Sequence, residues 1–244
     1  MRITHNTILI TGGGSGIGLS FARAFSRHDN TVIVCGRNPA KLEAVHKQDP
    51  DIITFVCDIV NDQEQHTLIN AVMQKYPQLN VLVNNAGIQH NYDFTDGKDH
   101  RALIDEEANI NFLAHMKLMD QLLPLFMKMQ VAAIVNISSA LAVVPKQSAP
   151  IYCATKAAIH NFSKALRYQL EKTPIKVFEI IPTLVDTEMT KGRGKNKVSP
   201  DFLAAEVLRA IETDKYEIPI GKTRILFLLN RFVPTIAQRI ARNV

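Results

Sequence analysis

The sequence has little with which to cross a membrane, hold a metal or stitch itself together through sulfur. Among its 244 residues no run of about eighteen apolar residues occurs, so no transmembrane helix and no stable membrane insertion are expected. The first ten residues enter a strand-like run directly, with no apolar signal-peptide core, which predicts a cytoplasmic protein. Cysteine is scarce: Cys35, Cys57 and Cys153 are odd in number and lack metal spacing, and read as free buried thiols in a reducing compartment. The eight histidines form no H-x-x-H or H-E-x-x-H pair, so no metal site is expected. Net charge is only +5, and no stripe of lysines with interleaved aromatics supports nucleic-acid binding. Internal repeats, low-complexity tracts and linkers are also missing.

What is present is a strict alternation of strand and helix patterns. Strand-like runs fall at Thr7–Thr11, Thr31–Cys35, Ile52–Cys57, Val81–Asn84, Ala132–Ser138, Lys176–Ile181 and Tyr216–Ile220. Helical patterns fall at Gly16–His28, Pro39–Lys47, Asp62–Tyr76, a long stretch near His100–Lys128, Pro150–Glu171, Asp201–Glu212 and Thr223–Arg242. Such alternation means right-handed βαβ units. It predicts one α/β domain over residues 1–244: a Rossmann-type, doubly wound, mainly parallel sheet of seven strands with helices on both faces. Ligands in such sheets bind beyond the carboxyl ends of the strands.

The first strand runs into TGGGSGIG, Thr11 to Gly18. Strand, glycine turn and helix in that order point backbone N–H groups and a positive helix end at one spot, which suits a diphosphate. The spacing of Gly12, Gly16 and Gly18 is G-x-x-x-G-x-G rather than G-x-G-x-x-G. One glycine allows the sharp turn, one the approach of the diphosphate, and one the packing of helix on strand. A protein that binds a polyanionic cofactor needs no further reason to be basic. The second strand ends Cys35-Gly36-Arg37, where an acid would select the ribose hydroxyl of NAD. Here Gly36 leaves that place empty, and the Arg37 guanidinium suits a 2′-phosphate, which predicts NADP(H) over NAD(H). Arg37 as a solvated loop residue is the competing reading. The third strand ends at Asp58 and Ile59, where a carboxylate can accept from an adenine amino group.

Tyr152 and Lys156, four apart at the start of a helix, share one face. An ammonium beside a phenol stabilises the phenolate and makes it a usable general acid and base. Alone this spacing more often marks a packed tyrosine beside a surface lysine. Ser139 ends an apolar strand and can donate to a carbonyl oxygen. Asn84, Asn85, Ala86 and Gly87 end another strand, where small residues let the backbone run close to a cofactor. Asn111 lies inside the long helix, where asparagine competes with the backbone ladder and can hold a water.

On these residues the chain resembles the short-chain dehydrogenase/reductase family over essentially its whole length. TGGGSGIG is similar to the family's TGxxxGIG, NNAG at Asn84–Gly87 is the family motif, and Asn111, Ser139, Tyr152 and Lys156 fall where its catalytic tetrad falls. The phrases NVLVNNAGIQ and YCATKAA are similar to its DltE-type branch. The resemblance implies hydride transfer between nicotinamide and a small carbonyl or alcohol substrate. Tyr152 would protonate the alkoxide and Ser139 stabilise it. Lys156 would lower the tyrosine pKa and bind the ribose, and Asn111 would hold a relay water. Cofactor contacts are expected from Thr11, Gly12, Gly14, Ser15, Gly16, Ile17, Gly18, Arg37, Asp58, Ile59, Asn85, Ala86, Gly87, Tyr152, Lys156, Pro182, Val185 and Thr187. The family's glycine after Pro182 is replaced by Thr183, which puts the local backbone path in doubt.

The substrate pocket is expected to be walled by apolar residues with Gln89, His90, Leu141 and Thr183. His90 is either an orienting group or a solvated loop residue. Residues Thr187 to Ser199 resemble the family's mobile lid. Its basic run (Lys191, Arg193, Lys195, Lys197) either meets an anionic substrate or is a soluble loop, the latter preferred. The helices near 100–128 and 150–171 are apolar over more than one face, and by the resemblance predict a homodimer or homotetramer. The C-terminal stretch ILFLLNRFVPTIAQRI mixes apolar residues with arginines. Packing over the pocket or a neighbouring subunit is preferred to an anionic membrane surface, because Pro234 breaks a long interfacial helix. The alternative function is a nucleotide-binding regulator that keeps the fold without turnover, although such proteins often lose the tyrosine or lysine retained here.

Overall fold

A computed structural model describes residues 1–242. The strands are β1 (Thr7–Thr11), β2 (Thr31–Gly36), β3 (Ile52–Val56), β4 (Leu79–Asn84), β5 (Ala132–Ile137), β6 (Ile175–Ile181) and β7 (Glu217–Pro219). They pair in parallel as one seven-stranded sheet in the order β3-β2-β1-β4-β5-β6-β7. The chain therefore winds outward from β1 to one edge and returns to build the other half from β4. That reversal opens a crevice at the carboxyl ends of β1 and β4.

Side chains alternate across each strand, and both faces are apolar. Ile8, Ile10, Val32, Val34, Val81, Val83, Val135 and Phe178 pack on one face against Phe21 and Phe25 of α1 (Gly16–Ser26) and Leu42 of α2 (Pro39–Gln48). Leu9, Ile33, Leu82, Ile134 and Val177 pack on the other, against Leu68 and Val72 of α3 (Asp62–Lys75). The remaining helices are α4 (Arg101–Ala108), α5 (Ala114–Phe126), α6 (Pro150–Gln169), α7 (Pro200–Glu212), α8 (Thr223–Phe232) and α9 (Pro234–Arg242).

Two expected helices are divided. The stretch near 100–128 is α4 and α5 separated by a π-helical segment, Asn109–Leu113. The stretch 223–242 is α8 and α9, parted at Val233, with Pro234 as the first residue of α9, a position that tolerates its missing N–H. Strand ends also shift: β4 begins at Leu79, which pairs with Thr7, and Asn80 Oδ1 accepts from Thr7 N (3.0 Å) at the irregular start of the β1–β4 ladder.

Candidate active site

Asn38, Asn61 and Ser199 each cap their helices (α2, α3 and α7) through a side-chain oxygen. At α1 the capping position is Ser15, whose side chain makes no such bond, so the first-turn amides face the crevice uncapped. Two glycines of the turn and the helix start admit no side chain. A Cβ on Gly12 would lie 2.9 Å from Ala86 Cα, and one on Gly18 would lie 2.5 Å from Gly12 O. Uncapped amides behind a cradle that a Cβ would fill fit a nucleotide diphosphate.

The crevice is a cleft of about 460 Å³. It brings together Gly12, Gly14, Ser15, Gly16, Ile17, Arg37, Asp58, Ile59, Asn85, Ala86, Gly87, Tyr152, Lys156, Pro182 and Thr187. Thr11, Gly18 and Val185 do not line it. Thr11 is buried and acts from behind: its Oγ1 accepts from Asn85 N (2.9 Å) and Ala86 N (3.0 Å), fixing the loop after β4. Gly18 is packed under the turn, and Val185 is buried, its carbonyl accepting from Thr190 Oγ1.

Tyr152 and Lys156 stand on the first turns of α6. The Lys156 ammonium lies 5.5 Å from the tyrosine ring centroid and donates to Ile137 O (2.8 Å) at the end of β5. Ser139 follows that strand, and its Oγ accepts from Leu141 N (3.1 Å). The electrostatics differ from the sequence expectation. Burial pushes the Tyr152 phenol up to about 12, opposed by the Ser139 hydroxyl beside it. Burial brings Lys156 down to about 8, with the Glu107 carboxylate opposing. Lys156 gives its hydrogen bond to the strand rather than to the phenol, and desolvation is the largest influence on both groups.

Asn111 sits in the π segment, fully buried. Its side chain is engaged with the protein itself. Oδ1 accepts from Ile88 N (2.8 Å), while Nδ2 donates to Ile88 O (3.0 Å) and Thr155 Oγ1 (3.2 Å). The irregular turn thus clamps the loop after β4 onto α6. A Cβ on Gly87 would fall 3.2 Å from Asn111 Oδ1 and 3.8 Å from Lys156 Nζ, so the three converge.

The expected pocket residues scatter more. His90 Nε2 pairs with Glu106 Oε2 (3.0 Å), and Glu106 also reaches Arg37 at 3.7 Å, so both residues are engaged with one carboxylate. Gln89 Nε2 is buried with no partner among the described residues. Leu141 lies in a 3₁₀ turn, Ala140–Ala142, directly after Ser139. Thr183 packs against the Gly221 turn, where a Cβ would meet its methyl at 3.1 Å. The side chain that replaces the family's glycine is therefore accommodated toward the end of β7, and Pro182 O still accepts from Ala140 N (3.2 Å).

Several residues at the site escape sequence reasoning. Lys41, on the first turn of α2 four residues after Arg37, lines the cleft and pairs with Glu188 at 2.5 Å. That spacing is the signal by which it could have been found. His115 is buried, pushed down to about 4 by desolvation, and its neutral ring donates from Nε2 to Ala86 O (2.7 Å). Glu107, also buried and raised by burial, accepts from Tyr92 OH (2.8 Å) and His90 N (3.2 Å). Their roles depend on distant backbone and carry no local signature.

The family model for short chain dehydrogenases matches residues 6–198. The chain is 42% identical over 207 residues to an uncharacterised oxidoreductase, DltE, of Bacillus subtilis (strain 168), spanning 84% of this chain and 82% of that protein. A short chain dehydrogenase from Burkholderia cenocepacia J2315, in complex with NADP, shares the fold with TM-score 0.86 at 21% identity over 99% of both chains. A short chain dehydrogenase/reductase from Burkholderia phymatum, in complex with NAD, shares it with TM-score 0.85 at 17% identity over 100% of this chain and 97% of that one. The chain belongs to the short-chain dehydrogenase/reductase family and is an NAD(P)-dependent oxidoreductase.

Proposed function

We propose that the protein reduces a carbonyl compound, or oxidises the matching alcohol, with NADP(H), and that Tyr152 is the proton donor and acceptor. The observation that carries this reading is that Tyr152 and Lys156 line the same cleft as the uncapped α1 turn, with Ser139 beside the phenol. The bound nicotinamide supplies or accepts the hydride. In the reductive direction the Ser139 hydroxyl and the phenol hold the substrate oxygen, and the phenol proton passes to it as the carbon takes the hydride. A phenol near 12 is fully protonated at neutral pH, as a donor must be, and is still a far stronger acid than an alcohol. Lys156 holds the ribose side of the site, and Asn111 is a positioning residue that fixes the Ile88 loop. Arg37 and Lys41 stand at the adenosine end of the cleft, where two cations favour a 2′-phosphate.

Arg193 supports an anionic substrate. Its Nη1 is buried with no partner among the described residues, it is close enough to oppose the rise of the Tyr152 pKa, and buried Lys146 beside it is pulled down by burial and then by that guanidinium. A buried, unpartnered guanidinium near the phenol, with Lys146 beside that guanidinium, favours a carboxylate or phosphate on the substrate.

NADPH consumption across neutral and carboxylated ketones and aldehydes tests both points. Tyr152→Phe should lower kcat/KM by about 10²–10⁴-fold with NADPH binding retained. Equal activity in the two proteins would remove Tyr152 from the chemistry. NADPH binding without turnover on the whole panel would point to the silent regulator. Arg193→Gln should raise KM about tenfold for carboxylated substrates only. An equal effect on neutral ones would exclude the anion contact.

A further inference from the structure

The C-terminal helices wear their apolar side chains outward. In α9 the buried residues are Ala237 and Ala241, packed on Val144, while Ile236 and Ile240 are 49% and 52% exposed. In α8 Leu226 and Leu229 pack inward beside the buried Thr223, yet Ile225, Leu228 and Phe232 are exposed, Phe232 at 72%. A helix lying on a protein in water does the opposite, burying isoleucine before alanine. Ile225, Leu228 and Phe232 recur at steps of three and four along α8, and Ile236 and Ile240 at a step of four along α9, so each helix carries an exposed apolar stripe on one face. The two stripes meet at Val233, the residue between the helices.

The charge on these helices is equally one-sided. Residues 222–242 carry Lys222, Arg224, Arg231, Arg239 and Arg242 and no acid. The chain has 28 Lys+Arg and 23 Asp+Glu, so its whole net charge of +5 resides here and the remainder is neutral. Arg224, Arg231 and Arg239 each directly precede a stripe residue and so flank the apolar strip. Among the described residues only Arg224 meets a carboxylate, Glu206 at 3.9 Å. The family model ends at residue 198, before both helices begin.

We propose that α8 and α9 form a docking surface for an anionic lipid bilayer. The stripe enters the boundary between headgroups and acyl chains, and the arginines meet lipid phosphates. No helix among the described residues is long and apolar enough to cross a membrane, so the attachment is peripheral. A second copy is the poorer occupant, because an isologous contact would face each cation with its like and offer no acid in return. The inner side of the helices packs on Val143 and Val144, just beyond Leu141, so the docking surface and the expected pocket wall are mechanical neighbours.

Sedimentation of the full chain with vesicles of phosphatidylcholine, alone or mixed with phosphatidylglycerol, tests this. Wild type should pellet with the anionic vesicles, weakly or not at all with the neutral ones, and less as salt is raised. Leu228→Ser/Phe232→Ser/Ile240→Ser, all at exposed positions, should abolish pelleting while NADPH binding persists. Arg231→Gln/Arg239→Gln should weaken it by about fivefold per charge. Equal pelleting with both lipids, binding insensitive to salt, or an apolar variant that binds like wild type would overturn the proposal. So would the absence of vesicle binding together with a light-scattering mass that falls in the apolar variant, which would make the face an interface between copies.

Discussion

Arg37 and Tyr152 show how much a residue's role depends on its surroundings. Arg37 stands at the end of β2, as its place in the sequence requires, yet its guanidinium is shared with Glu106 at 3.7 Å. Both side chains are well exposed, and a surface pair of this length contributes little. A 2′-phosphate, with more charge and a better match to the planar fork, displaces the carboxylate at small expense. The ratio of kcat/KM for NADPH to that for NADH should therefore fall at least about tenfold in Arg37→Asp. A ratio that does not move would remove Arg37 from cofactor choice. Tyr152 is legible as a catalytic candidate from its spacing to Lys156, but its high pKa is not. Spacing places the ammonium on the same face, and burial decides which charge state each group prefers.

At the scale of elements, α6 carries more than the Tyr152–Lys156 pair. One turn further on, His160 Nδ1 lies 2.9 Å from both carboxylate oxygens of Glu179, which is buried in β6 and also accepts from Ser138 at the end of β5. This chain of contacts ties the helix to the strand that positions Ser139. The Glu179 carboxylate, chiefly through its hydrogen bond, raises the His160 pKa above its ordinary 6.5. The stabilisation from this pair is thus fully present below pH 6.5 and is lost as pH rises through the raised folded value. Urea midpoints of wild type and His160→Gln should differ most at acidic pH and converge at alkaline pH. Parallel pH profiles would show that the pair contributes no linkage. The division of the long 100–128 pattern was only half visible. Asn111 is a poor residue for a helix interior, but the π segment exists because its amide finds both backbone groups of Ile88, a partner that local sequence cannot indicate.

For the whole molecule we propose self-association through α4, α5 and α6. Leu113 is exposed beside α5, and Ala154, Asn161, Ala165 and Tyr168 are exposed along one side of α6. Small residues there allow a close helix-to-helix approach. Light scattering at micromolar concentration should give a dimer or tetramer, and Leu113→Glu/Tyr168→Glu should reduce it to a monomer. A monomeric wild type would end this reading. The same test separates this surface from the C-terminal stripe, since substitutions there should leave the mass unchanged. The Lys41–Glu188 pair joins α2 to the segment that follows β6, and both residues line the cleft.

By itself the sequence determined the parallel sheet, the glycine turn and the helical face shared by Tyr152 and Lys156. Each of these follows from short-range geometry: a period of two or of 3.6, a turn that excludes Cβ, two residues one helical turn apart. Tertiary structure alone decided that Arg37 and His90 share Glu106, that Asn111 clamps Ile88, that the phenol is raised rather than lowered, and that α9 turns alanine inward and isoleucine outward. These outcomes depend on which distant groups meet and how much water is left between them. That is set by the packing of whole elements, and no local spacing encodes it.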